Sequence, residues 1–426
     1  MLKNTLKFFK NTYHKVLRSI AFYPVLLSLV FLILAIVGLN AERYEAVKLL
    51  KENVPSFFIE DYETARAILS TLIGGVLSLT VFSFTMVMVV LNQASSNFSS
   101  RLLPNLVSDK KHQIILGIYI GTLLFSIITL IALGANHVDK NFLGMSTMFA
   151  ALLGVVCIGL FVYFIHSISV SIQIHNIIDR IFDSSYTYYD KKLTETKELE
   201  SFNEFDLEGF ETIHSHKTGY FRGFEIGLMR DVLKQKDNQI EVLPYVDQHV
   251  WEGTPLMRVR NKLNKEELEA LLFCVRISTD RHTGERGISG MVKLMEIAVK
   301  AMSPGINDPG TAIEALVKLG QLLKKVISLP EITISKVKAQ AEIVVINNKI
   351  STEDVMRILV QPIRFYAKND VSVMYELIKT MNYLLNDQQL SEHKKQVIKK
   401  ELDLIKNDIE NAMDNDIDKQ RALSFL

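Results

Sequence analysis

Cysteine is nearly missing from this sequence. Only Cys157 and Cys274 occur in 426 residues, which excludes a disulfide scaffold and a cysteine-rich zinc site. Charge of one sign is not in excess either: 48 Lys and Arg stand against 47 Asp and Glu, net +1. That balance leaves no basic footprint for nucleic acid and no acidic solvating tail. Catalytic signatures are also wanting. The sequence has no Walker A lysine loop, no Ser-His-Asp order, no metal triad and no carboxylate pair in a motif context. The expectation is therefore a protein that is not an enzyme, with no cofactor implied.

Charge is also absent in a pattern. Four stretches carry none: 20–39, 67–91, 114–134 and 144–165. Each is long enough to cross a ~30 Å hydrocarbon core as a helix, and a buried helix of a soluble domain rarely runs that far uncharged. The first stretch is long for a signal peptide and no small-x-small cleavage site follows it directly, so it reads as a retained helix. Residues 1–176 hold 13 basic and 8 acidic side chains, net +5, whereas residues 177–426 are net −4. The mean hydropathy of +0.18 thus averages an apolar part and a charged part.

The organisation that follows is a transmembrane domain over 1–176, a charged connector over 177–204, a small β-rich domain over 205–260 and a mainly helical region over 261–426. The fold class is an α-helical membrane protein with four transmembrane helices plus a cytoplasmic α+β domain. Strand candidates in the β-rich domain, a small barrel or sandwich, are 211–215, 219–224, 239–244 and 256–259, with one short helix at 226–236. Further on, helices are expected at 266–274 and 288–302, then from the Ser303 loop to 327. A strand follows near 341–346, then helices starting near Ser351, near Asp370 and at Lys394. Lys3, Lys7, Lys10, Lys15 and Arg18 precede the first span, Arg101, Lys110 and Lys111 lie in the second loop, and Lys140 stands alone in the third. With an even number of spans, that distribution puts both termini in the cytoplasm.

The second span differs from the others. Ser70, Thr71, Gly74, Gly75, Ser78, Thr85 and Asn92 fall on one side of a 3.6-residue helix. Val81 and Phe82 lie in the same sector. Two readings are open. Ser70-x-x-x-Gly74-x-x-x-Ser78 is a small-x-x-x-small pattern that lets helices approach closely. Alternatively, Ser70, Gly74, Ser78, Thr85 and Asn92 line a pore, with Val81 and Phe82 as an apolar constriction. The span runs on into a polar stretch ending at Arg101, which fits a vestibule or a docking face. His166 near the end of the fourth span reads as an interfacial histidine bonded to a neighbour, or as a proton or metal site.

In the C-terminal part, His214 and His216 alternate on a strand and form a weak two-ligand start to a metal site, so no metal is expected. The loop Ser303-Pro304-Gly305-Ile306-Asn307-Asp308-Pro309-Gly310-Thr311 reads as a helix–turn–helix corner, with Asp308 as N-cap and Pro309 at N1. The second reading adds that Asn307, Asp308 and Thr311 hold a ligand or a partner backbone at the helix N-terminus. A further polar cluster, Asp280, Arg281 and His282 through Arg286, lies at the far end of the preceding helix.

Ala94 to Leu103 and Ser303 to Ala312 are the two long motifs through which the chain resembles a bacterial family of predicted membrane proteins grouped as a domain of unknown function. Gly219-Tyr220 and Gly253-Thr254-Pro255-Leu256 fit as well, and the resemblance runs from about Ala65 to Asp408. Arg281-His282-Thr283 departs from the family, which has an Arg-Thr pair followed by Gln-Asp. The resemblance implies a bacterial inner membrane protein with a cytoplasmic domain and implies no activity. Together these readings give a channel or channel-like oligomer as the expected function. The alternative is a membrane-anchored sensor or scaffold whose cytoplasmic domain binds a ligand or protein. The expected partners are the lipid bilayer, copies of the same chain, and ions or small solutes, with no nucleic acid.

Overall fold

The computed structural model describes residues 21–42, 44, 59, 61–97, 110–135, 144–171, 173–197, 209–279, 285–338 and 340–424. The chain divides into two compact units, with the main boundary between Gln173 and Ile174.

The N-terminal unit contains α1 (Phe22–Ala41), α2 (Tyr62–Asn97), α3 (Lys110–Ala135) and α4 (Gly144–Ser171). All four are long and apolar enough to cross a membrane. They coincide with the four uncharged stretches, because nothing in those stretches interrupts either the helix or its apolar surface. The outer surfaces stay apolar: Ile33, Val155, Ile158 and Val162 are each about 60% exposed. In water such a surface would drive association, whereas in hydrocarbon it costs nothing. Helices α1 and α3 meet closely because Gly117 and Gly121 have no side chains. A Cβ at Gly121 would stand 2.6 Å from Cγ of Phe31, and one at Gly117 would stand 2.7 Å from Cδ1 of Leu27. Close backbone approach of this kind holds helices together where no hydrophobic drive operates between them. Glu42, just after α1, accepts the backbone N–H of Ser146 at 2.6 Å and is almost fully buried. It places a carboxylate at the positive end of α4.

The C-terminal unit begins with α5 (Ile174–Lys197), so the expected connector is helical as far as Lys197. Strands β1 (Glu211–His214), β2 (Gly219–Phe224), β3 (Asn238–Val242), β4 (His249–Val250) and β5 (Pro255–Val259) follow. Then come α6 (Lys265–Cys274), β6 (Val275–Ser278), α7 (Gly287–Ala301), α8 (Pro309–Ser328), β7 (Ile332–Lys338) and β8 (Glu342–Asn348). One sheet has the order β1-β5-β3-β8-β7 and another the order β4-β2-β6. Among the described residues only β3 and β8 pair in parallel, with Ile240 opposite Val345, while Ile240 also faces Val259 of antiparallel β5. Two strands of the larger sheet therefore come from outside the stretch read as a small β domain, which is not a separate sheet. In place of one helix at 226–236 the chain makes two 3₁₀ turns, Ile226–Leu228 and Asp231–Lys234. The extended Met229 and Arg230 between them let both Met229 and Leu233 enter the core of Leu256, Met257, Leu271 and Ile343.

The helical layer is completed by α9 (Thr352–Val355), α10 (Gln361–Ala367), α11 (Val371–Leu385), α12 (Glu392–Ala412) and α13 (Asp416–Leu423). A π turn, Met356–Val360, joins α9 to α10. Pro362 has no N–H to donate to an i−4 carbonyl, and the wider turn before it absorbs the mismatch. Asn264, Asp308, Ser351, Asp370, Ser391 and Asn415 each cap a helix with the side chain. Helix α8 lies between α5 and α11. Lys318 pairs with Asp179 at 2.8 Å and Lys325 with Asp190 at 2.7 Å, both on α5.

Candidate functional site

The pore candidates form one uncovered surface. Ser70, Gly74, Ser78, Val81, Phe82, Thr85 and Asn92 are all exposed. The opposite side of α2 carries the packing: Ala65, Leu69, Val76, Ser83 and Val90 are buried. A Cβ added to Gly74 or Gly75 would meet nothing within 4 Å. The small-residue pattern of α2 therefore does not pack within its own chain. That job falls to Gly117 and Gly121 on α3. The hydroxyls on the face are not idle: Thr71 donates to the carbonyl of Ala67 at 2.8 Å, Ser78 to Gly74 at 2.9 Å and Thr85 to Val81 at 2.9 Å. Phe82 is half exposed on this face. Its ring meets Phe161 of α4 edge-on at 5.6 Å, so it borders the face as a contact within the bundle.

The Ser303 loop is a helix corner. The carbonyl of Ser303 accepts the N–H groups of Ile306 and Asn307, each at 3.0 Å, and Asp308 N–H returns to the carbonyl of Ala301 at 2.9 Å. Asn307 takes the left-handed conformation that this tight reversal needs, with φ of +48°. Asp308 Oδ1 accepts the Thr311 N–H at 3.1 Å and Oδ2 accepts its hydroxyl at 2.6 Å. The same bonds, the hydroxyl's first, hold the Asp308 carboxyl below the usual carboxylate range. Both oxygens are thus engaged in holding the start of α8. Asn307 and Asp308 are exposed and Thr311 is buried beneath them.

A cavity of about 310 Å³ opens elsewhere in the C-terminal unit, between α5, the start of α7 and β7. Tyr188, Tyr189 and Tyr245 form an aromatic wall, and Arg286, Gly287 and Lys349 lie on the same lining. Of these residues only Arg286, at the end of the upstream polar cluster, stands out in the sequence. Their partners come from segments separated by up to more than a hundred residues.

DUF2254, a family described as predicted membrane protein, matches residues 18–383. The chain belongs to this family. The match takes in all four spans, the face of α2, the Ser303 corner and the cavity. Curated relatives include uncharacterized proteins of Mycobacterium bovis and of two strains of Mycobacterium tuberculosis. Each is 26% identical over 261 residues, covering 59% of this chain and 49% of the relative. The chain spans about half the length of these relatives. No solved structure matches. The family makes this a membrane protein, and its description carries no activity.

The remaining candidates of this DUF2254 member divide as follows. Arg101, Asp280, Arg281 and His282 lie outside the described residues. From the same upstream cluster, Glu285 forms a two-bond pair with Arg180 of α5, at 3.0 and 3.1 Å, and Arg286 caps the start of α7 by position without a side-chain bond. The Ser303 corner closes the other end of α7, about 22 Å away along 15 residues. His214 ends β1, just after a register shift between Ile213 and His214, and His216 lies beyond the strand. Among the described residues no three His, Cys, Asp or Glu side chains gather as a metal site. His166 is exposed. The imidazole that the N-terminal unit buries is His112, whose Nε2 lies 3.2 Å from the Ser167 hydroxyl.

Proposed function

We propose that the protein is the subunit of a channel-like homo-oligomer of the bacterial inner membrane, with α2 at the contact between subunits. In this reading both termini are cytoplasmic, and the C-terminal unit forms a vestibule or regulatory domain. The reading includes no catalytic step. One observation carries it: the small and polar face of α2 is left uncovered while Ala65, Leu69, Val76 and Val90 on its other side pack into the bundle. A face of Gly, Ser and Thr allows close approach of a neighbouring helix, and the hydroxyls of Thr71, Ser78 and Thr85, already bonded to their own backbone, add no unsatisfied donor. The same side chains tolerate water, so the part of the face nearest a symmetry axis lines a path for ions or small solutes. The other reading is a membrane-anchored sensor or scaffold in which this face only joins copies.

Single cysteines at Ser70, Ser78 and Thr85 separate the two, since the native Cys157 and Cys274 are buried. In a pore, Ser78→Cys reacts with a water-soluble, membrane-impermeant thiol reagent, and Ser78→Phe abolishes flux in liposomes without lowering expression. Cysteines that form disulfides between copies yet resist the reagent would refute the pore and leave the scaffold. A monomer in the intact membrane, with no cross-link at any of the three positions, would refute both uses of the face.

A further inference from the structure

We propose that the cavity between α5, α7 and β7 binds a small phosphate monoester, with the phosphate at the start of α7 and an aromatic or apolar body against the tyrosine wall. The inference rests on the C-terminal unit alone and does not depend on the pore reading.

Among the described residues, two cations on the lining lack counter-charges. Neither Arg286 nor the Lys349 ammonium has an ion-pair or hydrogen-bond partner among the described residues. Lys192 lies on the same wall, and although Lys349 keeps access to solvent, packing around it and then repulsion from Lys192 pull its ammonium below the ordinary lysine value. Like charges facing one opening are relieved by an anion between them. The cavity carboxylates do not supply it. Asp247 is paired with Arg222, and Glu195 is held by Lys192 at 2.7 Å and Lys191 at 3.9 Å.

The backbone points the same way. The 15-residue α7 begins at Gly287 with no side-chain cap and no acidic residue in its first turn, and Gly287 and Ile288 both line the cavity. An uncapped helix start offers backbone N–H groups and a positive dipole end to an anion. Gly287 has φ of +62°, and a Cβ there would press on the Tyr188 ring at 3.1 Å, so this approach of backbone to cavity requires glycine.

The independent sign of a ligand is Tyr189. It lines the cavity, is 3% exposed, and its hydroxyl has no hydrogen-bond partner among the described residues. Burial first, then the charges of Tyr188 and Asp247, push that hydroxyl well above the ordinary tyrosine value, so it stays a neutral donor. A buried donor without an acceptor is costly to keep, and a phosphate oxygen would supply the acceptor. Tyr188, Tyr245 and the aliphatic Leu329 and Ile334 complete a wall suited to a ring. The volume lies at the small end of the ~300–1,000 Å³ range of ligand pockets, which favours a molecule of mononucleotide size.

The test is calorimetry on the full-length protein in detergent, with AMP as phosphate plus ring, adenosine as ring alone and inorganic phosphate as anion alone. The expected result is saturable AMP binding, displaced by phosphate, and at least tenfold weaker binding of adenosine. Arg286→Ala with Lys349→Ala weakens AMP at least tenfold, whereas Lys300→Ala at the other end of α7 leaves it unchanged. Tyr189→Phe guards against a folding artefact: without ligand it keeps or raises thermal stability, and it still lowers affinity for AMP. Absence of saturable heat from both AMP and phosphate up to about 1 mM would overturn the proposal. So would AMP binding that is indifferent to the double substitution and to Tyr189→Phe, or adenosine binding as tightly as AMP.

Discussion

Replacement of Asp308 by alanine tests the reading of the Ser303 corner as structural. Asp308 holds two donors of one residue, the N–H of Thr311 at 3.1 Å and its hydroxyl at 2.6 Å. Loss of an N-cap acceptor costs about 1 kcal/mol. Thr311 is 8% exposed, so its hydroxyl finds little water to replace the carboxylate, and a further ~1 kcal/mol follows. The expected destabilisation is about 1–2 kcal/mol, or a fall of a few degrees in the melting temperature of a unit this size. Hydrogen exchange in the full-length protein reads the effect locally, as a drop of about fivefold or more in protection at the Thr311 amide. Asp308→Asn keeps an acceptor and recovers part of the loss. The pH dependence has a definite sign. The folded carboxyl lies below its unfolded value because of the Thr311 bonds. Its stabilisation is therefore complete above the ordinary carboxylate range near ~4 and is lost as pH falls through the folded value. Asp308→Ala removes that part of the acid sensitivity. Unchanged Thr311 protection together with unchanged acid sensitivity in Asp308→Ala would refute the capping argument and return Asp308 to the ligand-site reading.

Two further substitutions probe the packing. Gly121→Val drives a side chain into Phe31, where even a Cβ stands at 2.6 Å; overpacking of this kind costs roughly 1–3 kcal/mol. Thermal unfolding in detergent should show the loss, while Gly74→Val, on the open face of α2, leaves the monomer's stability unchanged. Lys394→Ala removes the ammonium that donates to the carbonyls of Ile327 at 2.6 Å and Leu329 at 2.8 Å. Two carbonyls at the end of α8 then lose a charged donor, and a destabilisation of about 1–3 kcal/mol is expected in denaturant unfolding of the full chain.

Local signals in the sequence carried a good part of the fold. Asp308 before Pro309, Ser351 before Thr352 and Asp370 before Val371 mark helix starts that the structure keeps, because a cap needs only its own next three residues. Strands β1, β2, β3 and β5 fall close to the positions read from alternation and turn residues. Strand β6 was missed because it follows α6 with no intervening turn residue. Strand β7 was missed although Ile332 and Ile334 alternate after Pro330. The pairing of β3 with β8 had no local signal, since about a hundred residues separate them. The polar side of α2 was legible as a stripe, whereas the close contact of α1 with α3 through Gly117 and Gly121 passed unnoticed beside it.

The sequence by itself determined the four spans, since a run of uncharged apolar residues longer than a bilayer is thick satisfies its backbone only as a helix and its side chains only in lipid or a core. It also determined the helix starts, which are settled within one turn. Only the tertiary structure decided which side of α2 is covered, because periodicity places residues on a face without saying what meets it. The cavity too was decided there. Tyr189, Arg286 and Lys349 carry no shared pattern along the chain, and their charges and hydroxyl acquire meaning only when α5, α7 and β8 bring them to one opening.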